Sequence, residues 1–521
     1  MHIINKLHKY FCDKKIILNF IRNNKKFFPR KKSVNKNKIL VEHFNYVSSF
    51  ISFSYYAEVL SKKYNADIHC YYPTELSFFQ KINNHIKVLI GLPNYNIARC
   101  LGSKNIIFPK SIMNTKNKKI FRDIMANIRS KKDILKIKIL SIPVGDLIYD
   151  EYLYKFKKLT IDVNDKEFIN FLSYSVGLFM YWYEYLNDKK IKSLIISHTC
   201  YYISLPGRIA AFKKIPCYCV NNVSSFYITK NDYLTYTDFS SFPKIFKKIP
   251  KKISNQYIRI AKKEVLKKFI NKDNLNFDHY RKKKNNKPIS LLVSAHCFTD
   301  AVHIHGKNRI FSDHYEWINF LGQISNKTNY EWSIKIHPNH YDRNLDKMNS
   351  LITKYSRFKL LPKETKNINL LKKIDYVLTV YGTVSREYPL FNIPVLNCSH
   401  DGPYSAYKFS ENFSRLKDYK KALFNLERIK VNKNVVSKIY EQFSVKYLLH
   451  YYFFGQKKQA YFTDQLKNHK MDPINYIDHW NKMIDKKQHL MHLEQVKKFI
   501  ESKRHHFHAD NTSKFSKFLN I

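Results

Sequence analysis

The sequence predicts an α/β protein built from two open, doubly wound domains that face each other across a cleft. Three observations predict it. Strand-like apolar runs alternate with helical stretches in both halves, the length of 521 residues exceeds what one hydrophobic core usually supports, and hydrogen-bonding residues collect where strands of the second half end. Such alternation is the mark of parallel sheets covered by helices on both faces.

Taken in order, residues 1–36 form a basic N-terminal segment. From Met1 to Ser33 it interleaves Lys and Arg with Phe, Ile and Leu, without the apolar stretch or cleavage site of a signal peptide. Both a basic amphipathic helix on an anionic membrane and a solvated tail are compatible with it. The first domain, residues 37–245, opens with a run from Ile39 to Phe44, a helix from Ser54 to Tyr64 and a strand from Asp67 to Tyr72, which is a βαβ start. Strands follow at Asn105 to Phe108, Ile137 to Val144, Ser193 to Ser197 and Ile215 to Val220, with a long helix from Asp165 to Asn187. Within that helix, Phe168 to Tyr183 is uncharged except for Asn, Ser and Tyr polarity, and is too short for a membrane span, so it is expected to be buried.

Residues 246–287 are a basic interdomain connection, carrying the runs Lys247 to Lys252 and Arg281 to Lys284. The second domain, residues 288–431, has strands at Ile289 to Ser294, Trp332 to Ile336, Phe358 to Leu361, Tyr376 to Val380 and Ile393 to Asn397. Residues 432–521 read as a helical C-terminal extension that includes Val435 to Phe454. No internal repeat is visible.

A hydrophobic fraction of 44% excludes a disordered chain despite a net charge of +51. Part of that charge fits AT-rich coding, since Lys, Asn, Ile and Tyr are abundant together; the remainder draws the protein to anionic lipid or nucleic acid in a salt-dependent way. No nucleic-acid-binding motif accompanies the charge, so specific nucleic-acid binding is not expected. Eight scattered cysteines with no CxxC pair fit a reduced compartment, and the expected location is cytoplasmic, peripheral at the inner face of the plasma membrane.

Open parallel sheets bind ligands outside the carboxyl ends of their strands. In the second domain these ends carry Ser294-Ala295-His296-Cys297-Phe298-Thr299-Asp300 with His303 and His305, then His337-Pro338-Asn339-His340-Tyr341, then Tyr381-Gly382-Thr383-Val384-Ser385 with Arg386 and Glu387. Glycine allows close approach of backbone to a ligand, and N–H groups and hydroxyls at a helix start can hold phosphate; a capped turn is the plainer reading of the same residues. Glu387 is placed to read a ribose diol, with a surface carboxylate as the alternative. His296, His303, His305 and Asp300 lack the spacing of a metal motif, and no metal site is assigned. The tail Arg504-His505-His506-Phe507-His508 reads as a basic, solvated end.

The stretches SAHCFTDAVHIHGKNRIFSDHYEW, KIHPNHY and YVLTVYGTVSREYPLFNIPVLN, within about residues 290–410, resemble the nucleotide-binding half of GT-B glycosyltransferases of capsule and O-antigen synthesis. They are most similar to the capsule-biosynthesis group with a His-Pro motif, to which Kdo transferases and polysialyltransferases belong. The resemblance implies a GT-B-like fold: two Rossmann-like domains facing a cleft, with a C-terminal helical extension. It puts His337 on the donor phosphate or nucleotide, Gly382, Thr383 and Ser385 around the phosphates and Glu387 near the ribose; His296 and Asp300, beyond the first strand of this domain, are further candidates for the donor site, with the rim of the cleft as the alternative. In Phe391-Asn392-Ile393-Pro394 an asparagine stands where a glycine is common, and asparagine tolerates the left-handed backbone of that turn.

The first half is similar to the same proteins through Pro143 to Tyr152, Ile196-Ser197-His198 and Gly207 to Ala210, which implies an acceptor-binding role. Asp146, Asp150 and His198 are the candidate acceptor contacts, one of them a general base; helix capping by Asp146 and backbone hydrogen bonding by His198 are the alternatives. The expected activity is metal-independent transfer of a sugar from a nucleotide sugar, of CMP or UDP type, to a saccharide or lipid-linked glycan acceptor in surface-polysaccharide synthesis, with no tightly bound cofactor and with basic patches toward the anionic inner membrane surface. A CDP-alditol phosphotransferase and a UDP-sugar epimerase are the alternatives on the same scaffold, and a nucleic-acid-binding protein is the alternative of another class.

Overall fold

The structure is a computed structural model that describes residues 2–29, 36–43, 48–89, 97–103, 106–220, 225–234, 242–269, 287–305, 309–337, 341–449 and 473–505. The first half supplies β1 (Asn37–Glu42), β2 (Ala66–Tyr71), β3 (Ile106–Ile107), a hairpin of β4 (Lys138–Ile139) and β5 (Ile142–Pro143), then β6 (Ile191–Ile196), β7 (Cys217–Val220) and β8 (Ser225–Ile228). The second supplies β9 (Ser290–Ser294), β10 (Glu331–Lys335), β11 (Phe358–Leu360), β12 (Tyr376–Thr379), β13 (Val395–Asn397) and β14 (Glu411–Asn412).

The described strands form one sheet ordered β3-β2-β1-β6-β7-β8 and another ordered β11-β10-β9-β12-β13-β14. Pairing is parallel throughout, except that β8 runs antiparallel to β7. Both domains are therefore Rossmann-like, and in each the strand order reverses between the first and fourth strand, at β1/β6 and at β9/β12. Ligand crevices of open sheets form outside these strand ends.

Apolar cores line both faces of both sheets, which is why β7 and β12 read as continuous rather than alternating apolar runs. The helix Lys166–Tyr185 is buried as expected, with Trp182 donating from Nε1 to the Pro73 carbonyl at 2.9 Å. No described helix is long and apolar enough to cross a membrane.

The run Ile137 to Val144, expected as one strand, is instead the β4–β5 hairpin outside the main sheet. Leu140 and Ser141 both have positive φ, 47° and 67°, and reverse the chain. Two-residue hairpins need that conformation, and a Leu-Ser pair gives no turn signal of the Asn-Gly kind. The Asn392 turn does adopt the left-handed conformation, at φ 59° and ψ 30°.

The two termini meet. The helix His2–Phe27 buries Ile17 and Phe20, and Phe20 and Phe27 meet Trp480 of the helix Pro473–Met483 edge-on, with ring centroids 5.0 and 6.3 Å apart. With Lys486–Ser502 these helices cover the first sheet, so an apolar face that could have dipped into a membrane is used internally. The helix Val435–Leu449 stays with the second sheet, packed against Lys251–Phe269. Arg281 to Lys284 and His506 to His508 lie outside the described residues.

A polar seam joins the domains. Asp313 caps the helix His314–Ser325 by accepting from Glu316 N–H at 2.7 Å, while its other oxygen accepts from Tyr149 Oη (2.6 Å), Thr160 Oγ1 (2.5 Å) and Lys131 Nζ (3.3 Å) of the first domain. One buried carboxylate thus serves as helix cap and as interdomain anchor. Replacing Asp313 by Ala removes the cap and strands buried hydroxyls, at a cost of roughly 2–4 kcal/mol. The Asp313→Ala variant is expected to unfold at lower denaturant than Asp313→Asn, with Thr160→Ala milder than both; equal midpoints for all four proteins would contradict the anchoring role.

Candidate functional site

The β9/β12 switch point holds a concentrated set of polar side chains. His296, two residues beyond β9, lies 3.1 Å by its Nε2 from Thr379 Oγ1 at the end of β12. Thr379 Oγ1 donates to the Ser294 carbonyl at 3.3 Å and accepts from Gly382 N–H at 3.3 Å. A Cβ on Gly382 would stand 2.9 Å from Thr379 Oγ1, so glycine lets the turn close onto the strand end. Tyr381 is the hub: the rings of His296, His305 and His314 lie at 4.7, 4.8 and 6.0 Å from its ring, and its Oη donates to the Val302 carbonyl at 3.3 Å. Burial pushes its phenol up to about 12.

Arg309 enters this cluster from a segment bridged to Ser399 beyond β13. Its guanidinium carbon lies 5.2 Å from the Tyr381 ring centroid, and its Nη2 lies 3.4 Å from His314 Nδ1. Its Nε and Nη1 are buried without a hydrogen-bond partner among the described residues, as is His314 Nε2. Burial, and secondly the Arg309 charge, lowers His296 to about 3 and His305 to about 4 and drives His314 well below its ordinary value. The imidazoles are therefore neutral, and Arg309 supplies the positive charge within the cluster. A buried cation with unfilled N–H groups is costly unless an anion completes it.

Across the cleft, the β1/β6 switch point holds Glu42, His43, Ser197 and His198. Glu42 accepts from Ser197 N–H at 2.7 Å and from Ser197 Oγ at 2.9 and 3.0 Å, and Ser197 Oγ lies 2.8 Å from His198 Nδ1. Burial raises the Glu42 carboxyl to about 8 against the lowering by its Ser197 bonds. Burial also lowers His198 to about 4, and Asp300 of the second domain opposes that shift. His43 is lowered to about 4, chiefly by burial.

Of the residues expected from sequence, Asp150 is buried in the seam: it accepts from the backbone N–H of His303 at 3.0 Å and pairs with His303 Nδ1 at 2.6 Å. Asp146 forms a two-pronged pair with buried Arg208, whose guanidinium also reaches the Pro143 carbonyl at 3.2 Å. Asp300 accepts from Tyr201 Oη at 2.7 Å. Ser385 Oγ turns inward to Asn397 Oδ1 at 2.9 Å, while Thr383 is exposed and Glu387 is buried, with a charge felt by half-buried Lys335. His337 is exposed beyond β10, close enough to act on His296. The structure therefore brings His296, His337 and Gly382 together and gives Asp146, Asp150 and Ser385 internal partners. Pro338 to His340 lie outside the described residues.

Arg309, His314, Tyr381, Glu42, His43 and Ser197 were not singled out by sequence reasoning. One signal was available for Glu42, a carboxylate closing an otherwise apolar strand. Arg309 lies far along a loop with no pattern to mark it.

No protein-family model and no curated protein matches the chain. Among solved structures it is similar to KpsC of Thermosulfurimonas dismutans, a β-Kdo 2,4 transferase, at 13% identity, covering 50% of this chain and 81% of that one with a TM-score of 0.29. It is also similar to the UDP-GlcNAc 2-epimerase of Methanocaldococcus jannaschii in complex with UDP-GlcNAc and UDP (12% identity, 78% and 98% covered, TM-score 0.26). The UDP-GlcNAc 2-epimerase of Neisseria meningitidis bound to UDP-GlcNAc follows at 10% identity, 83% and 99% covered, TM-score 0.23. At such values the chemistry of the site has to be read from its own residues.

The neutral imidazoles tie stability to pH. Their folded-state values lie below the ordinary 6.5, so the unfolded chain binds protons first, and their contribution is complete above about 6.5 and lost as pH falls toward 4. The melting temperature is expected to fall between pH 6.5 and 4.5, with a shallower fall in His296→Gln and His305→Gln; an unchanged slope in both variants would show that these rings are not buried neutral.

Proposed function

We propose that the chain transfers a sugar from a nucleotide-activated donor to a hydroxyl of a saccharide or lipid-linked acceptor in surface-polysaccharide synthesis. The observation that carries this reading is Arg309, a half-buried arginine whose buried Nε and Nη1 meet no hydrogen-bond partner among the described residues, set among neutral imidazoles at a switch point. Arginine offers planar, paired donors that match a phosphate oxyanion, and in a site from which water is excluded such a contact stabilises a departing phosphate strongly. The residue pattern of the second domain, which resembles capsule-type transferases, supports the same reading.

In this proposal the donor phosphate lies against Arg309, with His314 as a neutral N–H donor, His296 fixed beside it by Thr379, and His337, Gly382 and Thr383 at its rim. Glu387 is assigned to the ribose side from the resemblance, and Asp300 is kept as a donor-site candidate. The base is of UDP or CMP type. The acceptor oxygen bonds to the anomeric carbon as the bond from that carbon to the phosphate oxygen breaks, and the electron pair leaves with the phosphate. His198 takes the acceptor proton and passes one through Ser197 to Glu42, whose raised carboxyl makes it a competent resting place. Charge stabilisation comes from Arg309 rather than from a metal. Asp146 and Asp150 hold structure around the site.

Two measurements test this. UDP, CDP, CMP and GDP are compared for thermal stabilisation of the wild type, Arg309→Ala and His337→Ala. One nucleotide is expected to stabilise the wild type by about 2.7 kcal/mol at 100-fold excess over its Kd, with the effect lost in Arg309→Ala. If no nucleotide stabilises the folded protein, the reading fails. If one does, product analysis with an acceptor separates a new glycosidic bond from a new phosphodiester or an isomerised free nucleotide sugar, the products of the phosphotransferase and the epimerase.

The second measurement is the pH profile of transfer. Glu42 must be ionised to receive the proton, so kcat is expected to rise from pH 7 to 9 around a midpoint near 8. Glu42→Gln keeps an acceptor for Ser197 N–H, and should lower kcat by about 100-fold and flatten the profile. A Glu42→Gln enzyme with wild-type rate and profile would remove Glu42 from the pathway.

A further inference from the structure

The helix Phe78–Leu89 is amphipathic in the reverse sense. Phe78, Phe79, Ile82, Ile86 and Leu89 are 71%, 81%, 42%, 49% and 71% exposed. At 3.6 residues per turn these five fall within an arc of roughly 100°. Among its described positions Lys81, Asn84 and Lys87 are half-buried, on the other side of the helix, while Gln80, Asn83 and His85 are exposed. Lys81, Asn84 and Lys87 therefore face the protein, and a continuous apolar stripe faces outward with the other polar side chains at its flanks. The helix start is held by reciprocal bonds of Ser77 and Gln80, with Ser77 N–H donating to Gln80 Oε1 at 2.8 Å and Gln80 N–H to Ser77 Oγ at 3.2 Å.

We infer that this helix is a membrane-docking element that lies in the interface of an anionic bilayer with its apolar stripe in the acyl boundary. Charge selects that occupant over a second copy of the chain. The helix contains Lys81 and Lys87 and no acidic residue, and the whole chain carries +51. Two such copies repel each other, whereas a surface of anionic lipids attracts the positively charged chain. Insertion of an apolar face together with basic attraction is the combination that holds a helix in the bilayer interface.

Position gives the docking a use. Lys81 Nζ lies 6.0 Å from the ring centroid of Phe108, which is itself partly exposed beyond β3. Phe108 stacks on Tyr72 beyond β2 at 5.3 Å, and Tyr72 stacks on His43 beyond β1 at 4.7 Å. The parallel register aligns these three strand-end residues, since Glu42 pairs with Tyr71 and Tyr71 with Ile107. An aromatic row thus runs from the helix to Glu42 at the β1/β6 switch point. A lipid-linked acceptor anchored in the bilayer would enter along this row. The docking rests on the helix alone, whereas its use for the acceptor rests on the transferase reading.

Full-length protein is floated with vesicles of phosphatidylcholine alone and of phosphatidylcholine with 30% phosphatidylglycerol, at about 0.1 M and 0.5 M NaCl, beside a Phe79→Ser/Ile82→Ser/Leu89→Ser variant. The wild type is expected to float with the anionic vesicles at the lower salt and to be partly released at the higher. The variant is expected to float at least about 10-fold less while keeping the wild-type melting temperature, since the replaced side chains are exposed. A variant that floats like the wild type assigns binding to charge alone and overturns the proposal, as does a wild type that stays unbound. Vesicle binding untouched by the variant while sedimentation shifts from dimer to monomer also overturns it, in favour of a second copy. Nucleotide stabilisation of the same preparations is read separately, so failure of docking and failure of the transferase reading remain distinguishable.

Discussion

The arrangement of the cleft depends on one buried pair, Asp150 with His303. His303 Nδ1 faces the Asp150 carboxylate at 2.6 Å and Nε2 faces the Ser312 carbonyl at 2.9 Å. Removing either member would leave the buried polar atoms of the other without their partner, which costs more than the bond itself contributes. Through this contact the loop following β9 is seated on the first domain, with Val302 embedded in that domain's core. Tyr201 and Ala301, whose backbones have positive φ of 54° and 36°, complete the seat through the Tyr201 hydroxyl, which accepts from Ala301 N–H at 2.6 Å. Backbone held in this region persists where its surroundings over-determine it.

Because that loop starts at His296 and ends near Arg309, seating it also sets the donor-side cluster. The two switch points then face each other across a short gap, which is reflected in the effect of Asp300 on His198. The two sides have different electrostatic characters. One holds a fixed cation among imidazoles kept neutral by burial, suited to an anion. The other holds a carboxyl raised by burial behind a serine and a histidine, suited to moving a proton. Each character follows from desolvation more than from neighbouring charge.

Much of the fold was legible in the sequence. Strands such as Ser290–Ser294 and Tyr376–Thr379 are apolar runs because both faces of the sheet are covered. The hairpin at Leu140 and Ser141, the two-residue β14 and the antiparallel β8 were not legible, since each depends on pairing rather than on local pattern. The docking of the terminal helices around Trp480 joins residues more than 450 positions apart, as in the Asn23 to Asn481 bond, and no local periodicity encodes it.

The sequence by itself determined the α/β class, the two sheets, the strand ends that carry polar residues and the excess of positive charge. These are properties of periodicity and composition, which act over a few residues at a time. Only the tertiary structure decided what each polar residue does there. Asp146 and Asp150, equivalent candidates along the chain, meet Arg208 and His303 and become structural, whereas Glu42 is hydrogen-bonded by Ser197, raised by burial, and keeps a carboxyl that can change its proton. Arg309 became the centre of the donor side because folding half-buried it beside Tyr381 and left two of its nitrogens without a hydrogen-bond partner among the described residues. Partners and solvation set the chemistry of a titratable side chain, and both are created by contacts between segments far apart in the chain.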